Sequence, residues 1–147
     1  MARTINMLEA INEALSQEME RDERVFILGE DIGLSGGVFK VTDGLLDKFG
    51  EARVLDTPLA EGIIIAAAIG SSMMGLRPVP EIQFADFITP AVEQIVQQAS
   101  KLRYRSAGGY SCPKTRPPAP DQWQSSAIST GSARWVGGSS APARALW

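Results

Sequence analysis

The chain has 147 residues, with 14 Lys and Arg against 17 Asp and Glu, one cysteine and no histidine. That length suits one ordinary domain. The lack of histidine excludes a His-based triad or a His-ligated metal site, and the single Cys112 excludes an internal disulfide framework and fits a reducing compartment. Charge is uneven: 10 cations face 16 acids through Cys112, and 4 face 1 from Pro113 onward. An acidic body argues against nucleic acid as the main partner, because phosphate contacts need clustered cations. Met1-Ala-Arg-Thr runs into a charged amphipathic helix without a signal-peptide pattern. The longest apolar run, Gly62 to Leu76, is shorter than the ~20 residues a membrane span needs. The expectation is a cytoplasmic chain with no membrane contact.

In chain order, Asn6 to about Arg21 reads as a helix. Asn6 caps it with Glu9 three residues on, and Leu8, Ile11, Leu15 and Met19 recur at helical spacing. Val25 to Leu28 is a short strand closed by Gly29. The acidic, glycine-rich loop from Glu30 to Gly37 fits neither a P-loop nor a dinucleotide fingerprint. Glu30 and Asp31 are either solvated or line the approach to a site. Thr42 is expected to cap a short helix, DGLLDKF, that stops at Gly50. Arg53 to Leu55 gives the next strand.

The stretch from Asp56 to Phe87 organises the chain. A polar turn (Asp56, Thr57, Pro58) leads to Glu61, and behind Glu61 runs GIIIAAAIGSSMMG, almost wholly apolar or small. A helix apolar on every side is expected to be buried on every side. PVPEIQF then reads as a buried strand that delivers Phe87 just past its end. A carboxylate opening that helix and an aromatic after that strand can meet at one edge of a parallel sheet, where open α/β sheets bind ligands. Glu61 is either a wet first-turn acid complementing the helix dipole or a partly dehydrated proton carrier. Phe87, from its residue type alone, reads as core. Thr89 and Pro90 then start a helix with Val92, Ile95, Val96, Ala99 and Leu102 on one face. Lys101, Arg103 and Arg105 crowd its last turn, complementing the helix dipole or touching a partner. Strand and helix in alternation predict an α/β fold, a parallel sheet flanked by helices.

TPLAE before an Ala/Gly-rich helix, then GLRPVPEIQFADF, together with GEDIG, GGVFKVTDGL and KLRYRS, resembles the beta subunit of the thiamine-diphosphate-dependent 2-oxo acid dehydrogenases. These are the pyruvate, branched-chain 2-oxo acid and acetoin enzymes. The resemblance runs from about Thr4 to about Pro113. It implies a transketolase-like pyrimidine-binding domain, here incomplete, that holds the aminopyrimidine of thiamine diphosphate. Glu61 matches the glutamate that hydrogen-bonds ring nitrogen 1′, and so is both the catalytic and a cofactor-binding candidate. Phe87 matches an aromatic that packs on the pyrimidine face. The resemblance assigns Mg²⁺ to the alpha subunit, so no metal ligand is expected in this chain. It also implies partners: an alpha subunit, in a heterotetramer, and the lipoyl acyltransferase core. The activity implied is oxidative decarboxylation of a 2-oxo acid, branched-chain or pyruvate, with acyl transfer to lipoyl-lysine. The alternative is a non-catalytic truncated fragment that at most binds an alpha subunit.

At Pro113 the character changes. The remaining residues hold all three tryptophans and five of the nine prolines, with no periodicity of either kind. Members of the family continue with another strand and a histidine-bearing glycine-rich loop, then a potassium-binding loop and a C-terminal domain. None of these is legible here. The expectation is a partial pyrimidine-binding domain over 4–113 and an irregular tail over 114–147 of out-of-frame sequence.

Overall fold

The computed structural model describes residues 4–110 together with the two-residue strand Ser129–Thr130. Expectations placed on the remainder of 114–147 lie outside the described residues. The first helix, α1, spans Met7–Arg21, and its start follows the sequence reading. Asn6 Oδ1 accepts the Glu9 N–H at 2.8 Å and Glu9 Oε2 accepts the Asn6 N–H at 3.1 Å, a reciprocal box that satisfies two end donors. Burial deepens along its apolar stripe, from the half-exposed Leu8 to the fully buried Met19.

Strand β1 (Val25–Gly29) is buried at all five positions, as a central parallel strand should be. It pairs in parallel with β2 (Val54–Asp56) on one side and β3 (Arg77–Ile82) on the other. The backbone of β4 (Ser129–Thr130) joins the far side of β3, giving the order β2-β1-β3-β4. Two layers cover this sheet. Against one face, Met19, Val25, Ile27, Ile32, Leu45 and Val54 form a cluster beneath α1 and α2 (Leu45–Phe49). On the other, α3 (Glu61–Met73) sets Ile64 and Ala68 against Phe26 and Leu28, and Ile65 against Ile82 and Ala91. Each fully buried Met or Ile in these clusters contributes on the order of 1.5–3 kcal/mol of transfer free energy.

β3 carries Pro78 and Pro80 inside a strand, which a sheet tolerates only where no donor is required. The Arg77 N–H donates to Arg24 O on the β1 side at 2.8 Å, so alternate residues face β1. Pro78 and Pro80 therefore face away from β1, where β4 pairs only with Glu81 and Ile82. Two missing donors blunt that stretch of edge against further strand addition.

Three expectations are corrected. Thr42 does not cap α2: its hydroxyl donates to Ile32 O at 2.7 Å and is buried, while the helix starts behind Gly44 at φ 75° with no side-chain cap. A long-range tie across the loop outcompetes the local one. The helix predicted from Thr89 is not regular. The chain coils already at Ala85 into a 3-10 helix (Ala85–Ala91), continues through a π-helical segment (Gln94–Ala99), and ends in α4 (Leu102–Arg105). Pro90 has no N–H to give Asp86 O, so the Thr89 hydroxyl donates to that carbonyl at 3.2 Å instead of accepting a capping bond. Farther on, the Ser100 N–H reaches back five residues to Ile95 O at 3.1 Å. Of the predicted apolar face, Ile95 packs against the Ile65 cluster while Val92 and Val96 stay half-exposed. Finally, α3 is not buried on every side. Ile63 is 70 % and Met74 84 % exposed, and Ala67 and Gly70 share their stripe. The sheet and the 3-10 and π segments cover one face of α3; no described residue covers the other.

Candidate functional site

Three strands end together at the carboxyl edge of the sheet. β1 delivers Glu30, β2 delivers Thr57 and the turn to Glu61, and β3 delivers Gln83, Phe84 and Phe87. A parallel sheet forces this convergence, because all its strands point the same way.

Glu61 is the first residue of α3, behind Ala60, whose carbonyl accepts the Ile63 and Ile64 N–H groups at 2.9 and 3.0 Å. With no side-chain cap there, the first-turn carboxylate sits where the helix's unpaired N–H groups favour negative charge. The residue is partly buried. Its charge is felt by Glu30, whose carboxyl is raised above the ordinary glutamate value by burial first, then by Asp31 and Glu61. Of the two readings of Glu30, a residue lining the site's approach is the one this proximity favours. Gln83 ties the two strand ends together, its Nε2 donating to Glu30 O at 3.4 Å. Behind Glu61, Gly62 lets the helix close on the 3-10 helix: a Cβ there would lie 3.3 Å from Pro90 O.

Phe87, read as core from residue type alone, is 44 % exposed. The 3-10 helix turns it outward, with its N–H on Phe84 O at 3.0 Å. Its ring meets Phe84 edge to face at 5.5 Å, and Phe84 meets Phe39 the same way at 5.7 Å. A ladder of three half-exposed phenylalanines, each edge to face with the next, holds the Phe87 ring in a fixed orientation at this edge. Phe39 and Phe84 escaped the sequence reading; the signal for Phe84 was an aromatic three residues before Phe87, one helical turn away.

Thr57 and Glu81 were also missed as polar groups of this edge. The Thr57 N–H donates to Gly29 O at 2.9 Å, while its hydroxyl is buried without a hydrogen-bond partner among the described residues. Lys101 donates to Gln97 Oε1 at 2.7 Å and Arg105 to Gln97 O at 3.4 Å, so these two cations serve a local amide and carbonyl. Among the described residues, no cluster of three or more Cys, Asp or Glu could hold a metal ion. None of the described helices is long and apolar enough to cross a membrane. An open groove of about 720 Å³ runs along α1 past Glu9, Asn12, Glu13, Lys40 and Lys48, but it is lined by α1 and the loop to α2, not by the strand ends.

Residues 3–117 match the family model described as transketolase, pyrimidine binding domain. Over 109 residues the chain is 59% identical to a 2-oxoisovalerate dehydrogenase subunit beta of Bacillus subtilis, covering 74% of this chain and 33% of that protein. It is 50% identical over 109 residues to a pyruvate dehydrogenase E1 component subunit beta of Acholeplasma laidlawii, with the same shares of each chain, 74% and 33%. A 3-methyl-2-oxobutanoate dehydrogenase subunit beta of Mycobacterium tuberculosis is 48% identical over 115 residues, 78% of this chain and 33% of that one. The chain thus spans about a third of the length of these curated relatives. With a parallel sheet, an acid-headed helix and an aromatic strand end at its carboxyl edge, and with most of its length matching one family model, the chain belongs to the transketolase pyrimidine-binding domain family.

Proposed function

We propose that this chain is the pyrimidine-side portion of a beta subunit in a thiamine-diphosphate-dependent 2-oxo acid dehydrogenase, working against an alpha subunit that holds the diphosphate and Mg²⁺. What supports this reading is that Glu61 follows β2 and Phe87 follows β3, two strands that flank β1 and end at one sheet edge. An aminopyrimidine needs a carboxyl for a ring nitrogen and an apolar face for its π system. Glu61, partly buried at a helix start, and the exposed Phe87 ring fit those two needs. Thiamine diphosphate, when bound, supplies a nucleophilic carbon and an electron sink for decarboxylation. The protein's part is to orient and to control a proton. Glu61 holds a proton against ring nitrogen 1′, Phe87 fixes the ring plane, and the Phe84 edge keeps Phe87 from turning. Glu30, whose carboxyl is raised by burial first and then by Asp31 and Glu61, lines the approach to that ring.

The exposed stripe Ile63, Ala67, Gly70 and Met74 fits the partner part of the reading. Small residues at one helical spacing let another chain's backbone approach closely. The substrate class proposed is a short 2-oxo acid, branched-chain or pyruvate, with acyl transfer to the lipoyl-lysine of an acyltransferase core, in the cytoplasm. Co-expression with an alpha subunit tests the whole. A stable assembly that decarboxylates 3-methyl-2-oxobutanoate or pyruvate in the presence of thiamine diphosphate is expected. The second reading is a non-catalytic fragment that at most binds an alpha subunit. It predicts an assembly on size-exclusion chromatography that binds no cofactor.

A further inference from the structure

Glu81 has no part in the site as proposed, yet its surroundings are unusual for a carboxylate. It lies on β3 on the same face as Val79, against the loop that joins β1 to α2. A Cβ on Gly37 would fall 3.3 Å from Thr42 Oγ1 and 3.7 and 3.9 Å from Glu81 Oε1 and Oε2, so the carboxyl lies against the Gly36–Gly37 turn. Oε2 is closed off from solvent, and among the described residues none gives it a hydrogen bond. The charged groups on the elements around it are Glu30 and Asp31 after β1, Lys40 and Asp43 in the loop, and Asp56 at the end of β2, and none of them contributes to its shift. Glu9 and Glu13 of α1, Asp47 and Lys48 of α2, and Arg53 and Arg77 complete the set, while β4 brings none. Asp56 is taken by the Gly33 N–H, Lys40 by Ser35 O, and Lys48 by Glu20 and Ser16. Arg53 is taken by backbone carbonyls and Arg77 by Asp22. Glu81 is in no ion pair with any of them, and loss of water alone pushes it up to about 7.

The loop over it is tied at its ends, where the Gly33 N–H donates to Asp56 Oδ1 and the Thr42 hydroxyl to Ile32 O. Gly37 N–H donates to Asp31 O at 2.8 Å, Thr42 N–H to Gly36 O at 3.2 Å, and Asn12 Nδ2 to Val41 O at 2.7 Å. The loop carries Phe39, the outer rung of the ladder that ends at Phe87. We propose that Glu81 is a proton-operated latch and a positioning residue: protonated, it seats the 30–43 loop and holds Phe39 against Phe84 and thereby Phe87; ionised, it draws water beneath the Gly36–Gly37 turn and releases the loop. A neutral carboxyl tolerates that dry position, whereas an unpaired carboxylate does not. The latch stands on the loop's own contacts and holds whether or not a cofactor ring lies on Phe87.

The closed loop binds the Glu81 proton more tightly than the open one does. Closure is therefore strongest at or below the ordinary glutamate range, weakens as pH rises, and levels off above about 7. Hydrogen exchange on the full chain tests this. Peptides covering 30–43, corrected for intrinsic exchange, should lose protection by up to about tenfold per pH unit from about pH 5 to about pH 7. Peptides from α1 should not, and Glu81→Gln, an uncharged isostere, should abolish the slope. A flat wild-type profile, or the same slope in Glu81→Gln, overturns the latch. Should Glu81→Gln fail to fold, carboxyl-carbon NMR of the wild type decides. A Glu81 resonance titrating near neutrality supports the latch, and one titrating in the ordinary glutamate range overturns it.

Discussion

Gly29 and Glu81 stand side by side on adjacent parallel strands, and the missing side chain of one admits the other. A Cβ on Gly29 would fall 2.9 Å from the Glu81 Cβ and 3.1 Å from both Glu81 O and an Ile32 methyl. Two of those three neighbours are strand atoms fixed by ladder hydrogen bonds, so they cannot yield without moving β3. Gly29→Ala should therefore cost about 1–3 kcal/mol of stability, as overpacking a close-packed interior does. Urea unfolding of the variant beside wild type checks this; an unchanged midpoint would show that β1 and β3 part easily.

Arg53 ties α1 to the sheet. Its guanidinium donates to Met19 O at 2.7 Å, Asp22 O at 3.0 Å and Val25 O at 2.6 Å, and its Cζ lies 5.2 Å from the Phe49 ring centre. Removing it takes the guanidinium donor from Met19 O and Val25 O, while Asp22 O keeps the Val25 N–H at 3.1 Å. Arg53→Ala should lose about 2–3 kcal/mol, the range for hydrogen bonds to a charged group. Arg53→Lys should recover little, since one ammonium cannot reproduce the planar fork. Equal unfolding midpoints for Lys and Arg would refute the bidentate reading.

Asp22 gives the fold an acid-sensitive joint between α1 and β1. Its side-chain hydrogen bonds from Arg24, at 3.0 and 2.8 Å, hold the carboxyl at about 2. Arg77 Nε adds an ion pair at 3.3 Å that lacks hydrogen-bond alignment. A depressed folded-state value means the stabilisation is complete above the ordinary aspartate range and is lost as pH falls toward about 2. Asp22→Asn should thus be less stable than wild type at neutral pH, with the gap closing on acidification. Parallel stability curves for the two proteins down to about pH 2 would refute this.

Glu61→Gln separates binding from proton control. In an assembly with the alpha subunit, the variant should still bind thiamine diphosphate. It should lose about 10²–10⁴ in the rate at which the bound cofactor exchanges its C-2 proton, the usual worth of a positioned acid–base group. An amide fills the same volume but cannot share a proton with ring nitrogen 1′. Exchange at the wild-type rate would remove Glu61 from the mechanism.

The elements read correctly in advance are those governed by local rules. Asn6 and Glu9 specify the α1 start within four residues of chain, Gly50 ends α2 at φ 78° as a C-terminal glycine should, and β1 reads from its unbroken apolar run. The irregular coil after β3 was not legible, because helical periodicity does not distinguish α, 3-10 and π winding. The choice there followed from Pro90 leaving the Asp86 carbonyl to the Thr89 hydroxyl and from how α3 presses on that segment.

By itself, the sequence determined the alternation of strands and helices, the carboxylate heading α3 and the aromatic after β3, because apolar periodicity and turn chemistry act over a few residues. Tertiary structure alone decided what those side chains face. Parallel pairing set Glu30, Glu61 and Phe87 at one edge, and a coil begun at Ala85 turned Phe87 outward onto Phe84. A loop fixed by Thr42 and Asp56 carried Phe39 to meet them and closed over one oxygen of Glu81. Burial and proximity depend on residues distant in the chain, and no local pattern encodes the dryness that moves a proton.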